Sequence, residues 1–367
     1  MIPSDDLLQA LASISPDSPL AAARLTRDAA TEHAQGSYDV LFSPHGNGDF
    51  PLPARLAMAQ QVAHWHSEPR LAAHYAARQK EAPPGEKWHS ALAHAERLTF
   101  QPAAAGPAHL RELEQAGWSA DDIVTLSQLV AFVSFQSRLL RGLRLLSGED
   151  VGAERPEPAV AAAWRTDPTT ASGQPAPPAF TRAELGWEPW LAAKKLEEFS
   201  AAEKATLAKF DHSDSDYFRL LGRNLPLLEQ RTLTDKGIFY TAGGLPRKER
   251  ELAATVASKV NGCIYCASVH ARKAAQLSKQ PENVQRLIDT APGQPLAADQ
   301  AVRWLAIIDF AASLSTTPPT PRQAQLVQLR AQGLSELELL DLIQSTAFFA
   351  WANRLMLTLG EPFSPVP

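Results

Sequence analysis

Two cysteines, an imidazole and a carboxylate fall within one short stretch of this chain, which reads Glu251-Leu-Ala-Ala-Thr-Val-Ala-Ser-Lys-Val-Asn261-Gly262-Cys263-Ile264-Tyr265-Cys266-Ala-Ser-Val-His270. The sequence holds 2 cysteines in all, and both are here. A Cys-x-x-Cys pair at the start of a helix sets its sulfurs on neighbouring positions of one turn, close enough to close and reopen a disulfide. The partial positive charge at a helix start favours thiolate over thiol. His270 follows Cys266 by four residues and shares its helical face. An imidazole there can take the thiol proton or hold the thiolate as an ion pair. Glu251 belongs to the preceding helix, which the Asn261-Gly262 turn folds back. It can orient His270 or relay a proton through a water. Together the four residues make a dithiol with its own acid and base.

The elements that must position them are helical. Leu252, Ala253, Val256, Ala257 and Val260 recur at helical spacing and predict a helix over about 247–260, opening after Gly243-Gly244-Leu245-Pro246. Asn261-Gly262 is a stop signal, because both residues tolerate the left-handed conformation that ends helices. A second helix is expected from about Cys263 to about Ser278, then others over roughly 298–314, 321–331 and 335–358. Pro292, Pro295 and Pro318-Pro319 mark the loops between them. No run of alternating β-branched residues stands out, so the expected class is all-α.

Glu251, twelve residues ahead of Cys263-x-x-Cys266-x-x-x-His270, resembles the active-site motif of the alkylhydroperoxidase D and carboxymuconolactone decarboxylase superfamily. The resemblance covers most of the C-terminal half, including Leu225–Phe239 and the last long helix. It implies an all-helical bundle that assembles into trimers or hexamers. In the redox-active branch it implies an antioxidant peroxidase, which reduces hydroperoxides through a Cys-Cys disulfide with Glu and His in a proton relay. Carried over, the catalytic set is Glu251, Cys263, Cys266 and His270. The resemblance makes Cys266 the peroxide-attacking thiol and Cys263 the resolving one. Cys266 is also the sulfur nearer His270 along the chain. Tyr265 departs from alkylhydroperoxidase D itself, which can carry His at that position.

The chain also looks duplicated. Gly117-Trp118-Ser119-Ala120-Asp121-Asp122 parallels Gly333-Leu334-Ser335-Glu336-Leu337-Glu338, each a capping-box-like helix start. Both helices then carry a Phe (Phe132, Phe348) and an Arg-Leu pair (Arg138-Leu139, Arg354-Leu355) in the same register. Aligning Arg55-Leu56-Ala57 with Glu251-Leu252-Ala253 sets His74 opposite His270, Ser67 opposite Cys263 and Arg70 opposite Cys266. The expected organisation is a degenerate helical domain without a cysteine pair over 1–148, a Pro/Ala-rich linker over 149–180, and a redox-motif domain over 181–367. The linker composition suggests a semi-rigid spacer.

Bulk properties narrow the partners. The 367 residues carry 35 basic and 40 acidic side chains, a net charge of -5, with no basic stripe of the kind nucleic-acid binders show. No stretch approaches roughly 18 uninterrupted apolar residues, so no membrane role is expected. The N-terminus makes a poor signal peptide, and a cytoplasmic location is expected. The expected partners are a hydroperoxide or other small molecule, a dithiol reductant protein and further copies of the chain. No cofactor or metal is expected. Gly243-Gly244 lacks the rest of a dinucleotide or phosphate loop. Cys263, Cys266 and His270 fall one ligand short of a closed zinc site, and His64 and His66 diverge on a helix. Two other functional readings stay open. One is decarboxylase- or isomerase-like acid–base chemistry by His270 and Glu251 without sulfur. The other is a non-catalytic subunit whose dithiol senses redox state.

Overall fold

Helices account for nearly all the regular structure of the computed structural model, which describes residues 6–78, 86–149, 151 and 159–365. The N-terminal half runs α1 (Leu7–Leu11), α2 (Pro19–Thr26), α3 (Asp28–Leu41), α4 (Leu52–Trp65), α5 (Pro69–Arg78), α6 (Glu86–Phe100), α7 (Pro107–Gln115) and α8 (Ala120–Leu146). Strand β1 (Gly186–Pro189) and helices α9 (Ala201–Lys209) and α10 (Asp216–Leu221) follow. The C-terminal half then runs α11 (Leu225–Phe239), α12 (Arg247–Asn261), α13 (Ile264–Ser278), α14 (Pro281–Asp289), α15 (Val302–Ser315), α16 (Gln323–Ala331), α17 (Glu336–Thr358) and β2 (Gly360–Phe363). The fold is all-α apart from the antiparallel β1–β2 pair, which joins Gly186 to Phe363 and Pro189 to Gly360. Two features escape sequence periodicity. The strands are four residues each, too short to show alternation. Helix α14 opens with Pro281, which reads as a breaker but is well suited to a first helical turn, and it buries Val284, Leu287 and Ile288.

Helices of like position in the two halves pack against one another. Helix α8 packs along α17, and α3 along α11. At the first contact Trp351 is fully buried, lies edge-on to Phe132 at 5.2 Å, and donates from Nε1 to Gln128 Oε1 at 2.7 Å. Gly142 lets the two helices approach, because a Cβ there would stand 2.5 Å from Ile343. Two buried arginines cross over in a pseudo-symmetric way. Arg138 of α8 donates to the Ser315 carbonyl at the end of α15, and Arg354 of α17 donates to the Thr99 carbonyl near the end of α6. Both also reach Thr317 Oγ1. The halves share one apolar core.

The register of the repeat differs from the sequence alignment by one residue around the motif. Ser67 and Gly262 are the left-handed residues between the paired helices, with φ of 55° and 78°, and Pro69 and Ile264 begin the second helix of each pair. Arg55 and Arg250 both donate to carbonyls at the end of the preceding helix, Arg55 to Leu41 and Arg250 to Ile238. Each of these pairs is 195 residues apart. Arg55 therefore matches Arg250 rather than Glu251, and His74 stands opposite Val269, with Tyr75 opposite His270. The shared Leu-Ala step after Arg55 and Glu251 drew the alignment off by one. His74 bonds Tyr38 Oη at 2.6 Å as part of the N-terminal core.

Of the Pro/Ala-rich stretch, residues 150 and 152–158 lie outside the described residues. From Ala159 on it lies against the C-terminal helices. Val160 bridges Pro295, the Ala162 N–H donates to the Lys259 carbonyl at 2.9 Å, and Trp164 meets Phe180 edge-on. Among the described residues α8 is the one helix long and apolar enough to cross a bilayer, and its qualifying window is entirely buried in the core.

Candidate active site

The Gly262 turn brings the four motif residues together. Helix α12 ends there with φ of 78°, a conformation glycine adopts at little cost. A Cβ at this position would also meet the Ala163 carbonyl oxygen at 2.7 Å. The chain then reverses into α13 with Cys263 as its N-cap residue and Cys266 in the first turn. Helices α12 and α13 lie side by side, which sets Glu251 against His270. His270 Nδ1 donates to Glu251 Oε2 at 2.5 Å. A carboxylate can only accept, so this bond fixes the proton on Nδ1 and leaves Nε2 as the acceptor.

Glu251 is completely buried. Its other oxygen takes Arg247 Nε at 2.6 Å, one turn back on the same helix. Burial alone would raise the carboxyl's pKa, but the hydrogen bond and charge of His270, with Arg247 and Lys273, outweigh it and hold the pKa below the ordinary value. Phe349 packs edge-on against the imidazole at 4.4 Å between ring centres. Rotation of His270 is thus limited by both a bond and a wall.

The two sulfurs face different spaces. Cys266 and His270 line a cavity of about 510 Å³ whose walls include Phe239, Phe348, Phe349 and Met356. Cys263 lies instead on a much smaller cavity of about 50 Å³ beside Trp164 and Tyr265. Both thiols are free and buried. Burial, and then the neighbouring Cys266 sulfur, push the Cys263 thiol well up, while the Cys266 backbone and Asn353 pull the other way. The helix-start preference for thiolate is therefore overridden at Cys263 by desolvation. Asn353 ties this corner together from α17, taking Asn261 Nδ2 on its carbonyl oxygen at 3.0 Å and donating to Ser258 Oγ at 3.0 Å.

Sequence reasoning missed the remainder of the cavity wall. Arg247 was legible as an Arg four residues ahead of Glu on one helix face. Asp235, Arg231 and Tyr217 come from α11 and α10, far from the motif in sequence, and only packing brings them to the cavity. Asp235 is half-buried, and desolvation raises its carboxyl against the pull of Arg231 and His270. The N-terminal counterpart of the motif carries no cysteine. Tyr38 and His74 are bonded to each other, and the nearby cavity is only about 20 Å³. Among the described residues no three His, Cys, Asp or Glu side chains are close enough to hold a metal ion together.

Fold and site thus define an all-helical protein with two cysteines and a His–Glu pair on the neighbouring helices α12 and α13. Residues 226–306 match the Carboxymuconolactone decarboxylase family, so this part of the chain is similar to that family. A solved structure of an uncharacterized peroxidase-related protein from Silicibacter sp. TM1040 is similar at 22% identity, with a TM-score of 0.39, over 46% of this chain and 92% of that one. No curated protein matches the chain.

Proposed function

We propose that the chain is a thiol-dependent peroxidase that turns over through Cys266 and Cys263. The observation that carries this reading is the division of labour between the sulfurs. Cys266 shares a substrate-sized cavity with a carboxylate-oriented imidazole, while Cys263 is buried away from that cavity with its thiol pKa pushed up by desolvation. His270 Nε2 takes the Cys266 proton, and Glu251 balances the imidazolium that results. The thiolate attacks the terminal peroxide oxygen, the O–O bond breaks, and the leaving alkoxide recovers the proton from His270. Cys266 is then a sulfenic acid. Cys263 attacks that sulfur, the S–O bond breaks, and water leaves as the disulfide closes. Two electrons pass from the dithiol to one hydroperoxide, giving one alcohol and one water. A dithiol reductant protein reopens the disulfide by exchange. Cys266→Ser should abolish peroxide consumption, and full activity in that variant would overturn the reading.

A second reading is favoured by the family match and by the His270–Glu251 pair, which is complete without sulfur. In it these two residues perform acid–base chemistry on a small lactone or keto acid. Turnover of such a substrate by protein alkylated at both thiols would select this reading over the first.

A further inference from the structure

Every other buried arginine among the described residues is held by at least two hydrogen bonds or ion pairs, although Arg138, Arg141, Arg250 and Arg354, like Arg231, leave Nε without a hydrogen bond. Arg27 and Arg250 share Asp341, Arg141 pairs with Glu68, and Arg24 pairs with Asp6. Arg55 donates to three carbonyls, and Arg138 and Arg354 to carbonyls and Thr317. Arg231 is the exception. It is 6% exposed, its Nε has no partner, and its hydrogen bonding among the described residues is a single 3.3 Å bond to Tyr217 Oη. Its guanidinium lies over the rings of Phe348, Trp351 and Tyr217 at 5.2, 5.7 and 5.9 Å. Asp235, one turn along the same helix, acts on it through charge but forms no ion pair with it. A buried guanidinium that makes no direct ion pair among the described residues is costly, and the space beside this one is the cavity that holds Cys266 and His270.

We propose that Arg231 is the binding residue for a carboxylate-bearing substrate, an organic acid whose other end reaches Cys266 and His270. This rests on the reading of that cavity as the active site and adds the substrate class. A planar guanidinium with free donors matches a carboxylate in two-point geometry. Tyr217 accepts from Arg231 and so keeps its own proton to donate to the same anion. Phe239, Phe349 and Met356 supply an apolar wall for the rest of the molecule, and about 510 Å³ suits a small organic acid. The acids Asp214 and Asp216 also border the cavity but are exposed, and Asp216 is paired with Arg219. Desolvation weakens Asp235 as an internal competitor by favouring its neutral form.

The test is calorimetric titration of the pre-reduced full chain with benzoate and hexanoate, beside benzyl alcohol and hexanol as neutral counterparts. At least one acid should bind more tightly than its alcohol. Arg231→Gln should weaken that acid about tenfold or more, the loss of one charge-assisted contact, with Arg231→Lys intermediate and the alcohols unchanged. The proposal is overturned if neither acid outcompetes its alcohol, or if the folded Arg231→Lys and Arg231→Gln proteins bind acids as the parent does. Should Arg231→Gln not fold, the acid–alcohol comparison and Arg231→Lys decide. No peroxide is present, so acid binding by a peroxide-inert protein would refute the peroxidase reading alone. Peroxide turnover without acid preference would refute this proposal alone.

Discussion

Replacing Glu251 with Gln removes one negative charge and leaves the shape of the side chain. In the parent the carboxylate holds His270 at 2.5 Å and Arg247 at 2.6 Å, completely buried. Breaking a buried pair costs roughly 3–5 kcal/mol when the partner is left sealed from water. Arg247 retains 28% side-chain exposure and His270 16%, so both can recover part of their solvation. The expected loss of stability at pH 7 is therefore about 1–3 kcal/mol. The sign with pH is fixed by the depressed carboxyl. Its contribution is present above the ordinary value of 4.5 and disappears as pH falls through the lower folded value. The stability gap between parent and Glu251→Gln, read from urea unfolding, should be full at pH 7 and shrink below about pH 4. An amide can also offer His270 the wrong end, so the imidazole loses its fixed tautomer. Peroxide-driven thiol loss should fall by roughly 10²-fold, the lower part of the range for acid–base assistance. The reasoning is refuted if Glu251→Gln matches the parent in thiol-loss rate and if the stability gap is absent at pH 7 or stays unchanged as the pH is taken well below about 4.

Three further outcomes follow from the same geometry. Cys263→Ser should still consume one equivalent of peroxide and leave Cys266 as a sulfenic acid that a dimedone-type probe traps by mass. A trapped residue other than Cys266 would reverse the assigned roles. Gly262→Ala should destabilise by about 1–3 kcal/mol, since it adds a left-handed penalty to a 2.7 Å collision with the Ala163 carbonyl. A thermal midpoint equal to the parent's would contradict that. Desolvation lowers the Lys259 pKa from 10.5 to about 8, and its ammonium donates to the Ile288 and Thr290 carbonyls. Between those pH values the unfolded chain binds more protons, so the parent should gain up to roughly 3 kcal/mol relative to Lys259→Met as pH rises from 8 to 10.5. Parallel urea midpoints across that range would refute the shift.

Much of the motif was legible because its parts are local. Cys263, Cys266 and His270 sit on one helix, Asn261-Gly262 announces the turn, and the apolar stripe from Leu252 to Val260 marks the helix that carries Glu251. The duplication was readable where glycine and serine punctuate it, at Gly117-x-Ser119 and Gly333-x-Ser335. Both serines cap their helices, but only Glu338 accepts from the backbone N–H of its cap residue. Asp122 is shorter and accepts from the Ser119 hydroxyl and the Asp49 N–H. The register failed at Arg55 because a Leu-Ala step is too common to fix an alignment, whereas the shared task of two buried arginines does fix it. The cavity was not legible at all. Arg231 and Tyr217 reach it from helices whose sequence pattern says only that they are buried, and the separation of Cys266 from Cys263 depends on which wall each faces.

The most direct measurement is a stopped-flow titration of the pre-reduced protein with a hydroperoxide, counting free thiols before and after. The account predicts loss of two thiols per chain, at one equivalent of peroxide, far faster than a small-molecule thiol reacts, and recovery of both with a dithiol reductant. Thiols that stay free, or that react no faster than the small-molecule thiol, would contradict it and leave His270 and Glu251 to work without sulfur.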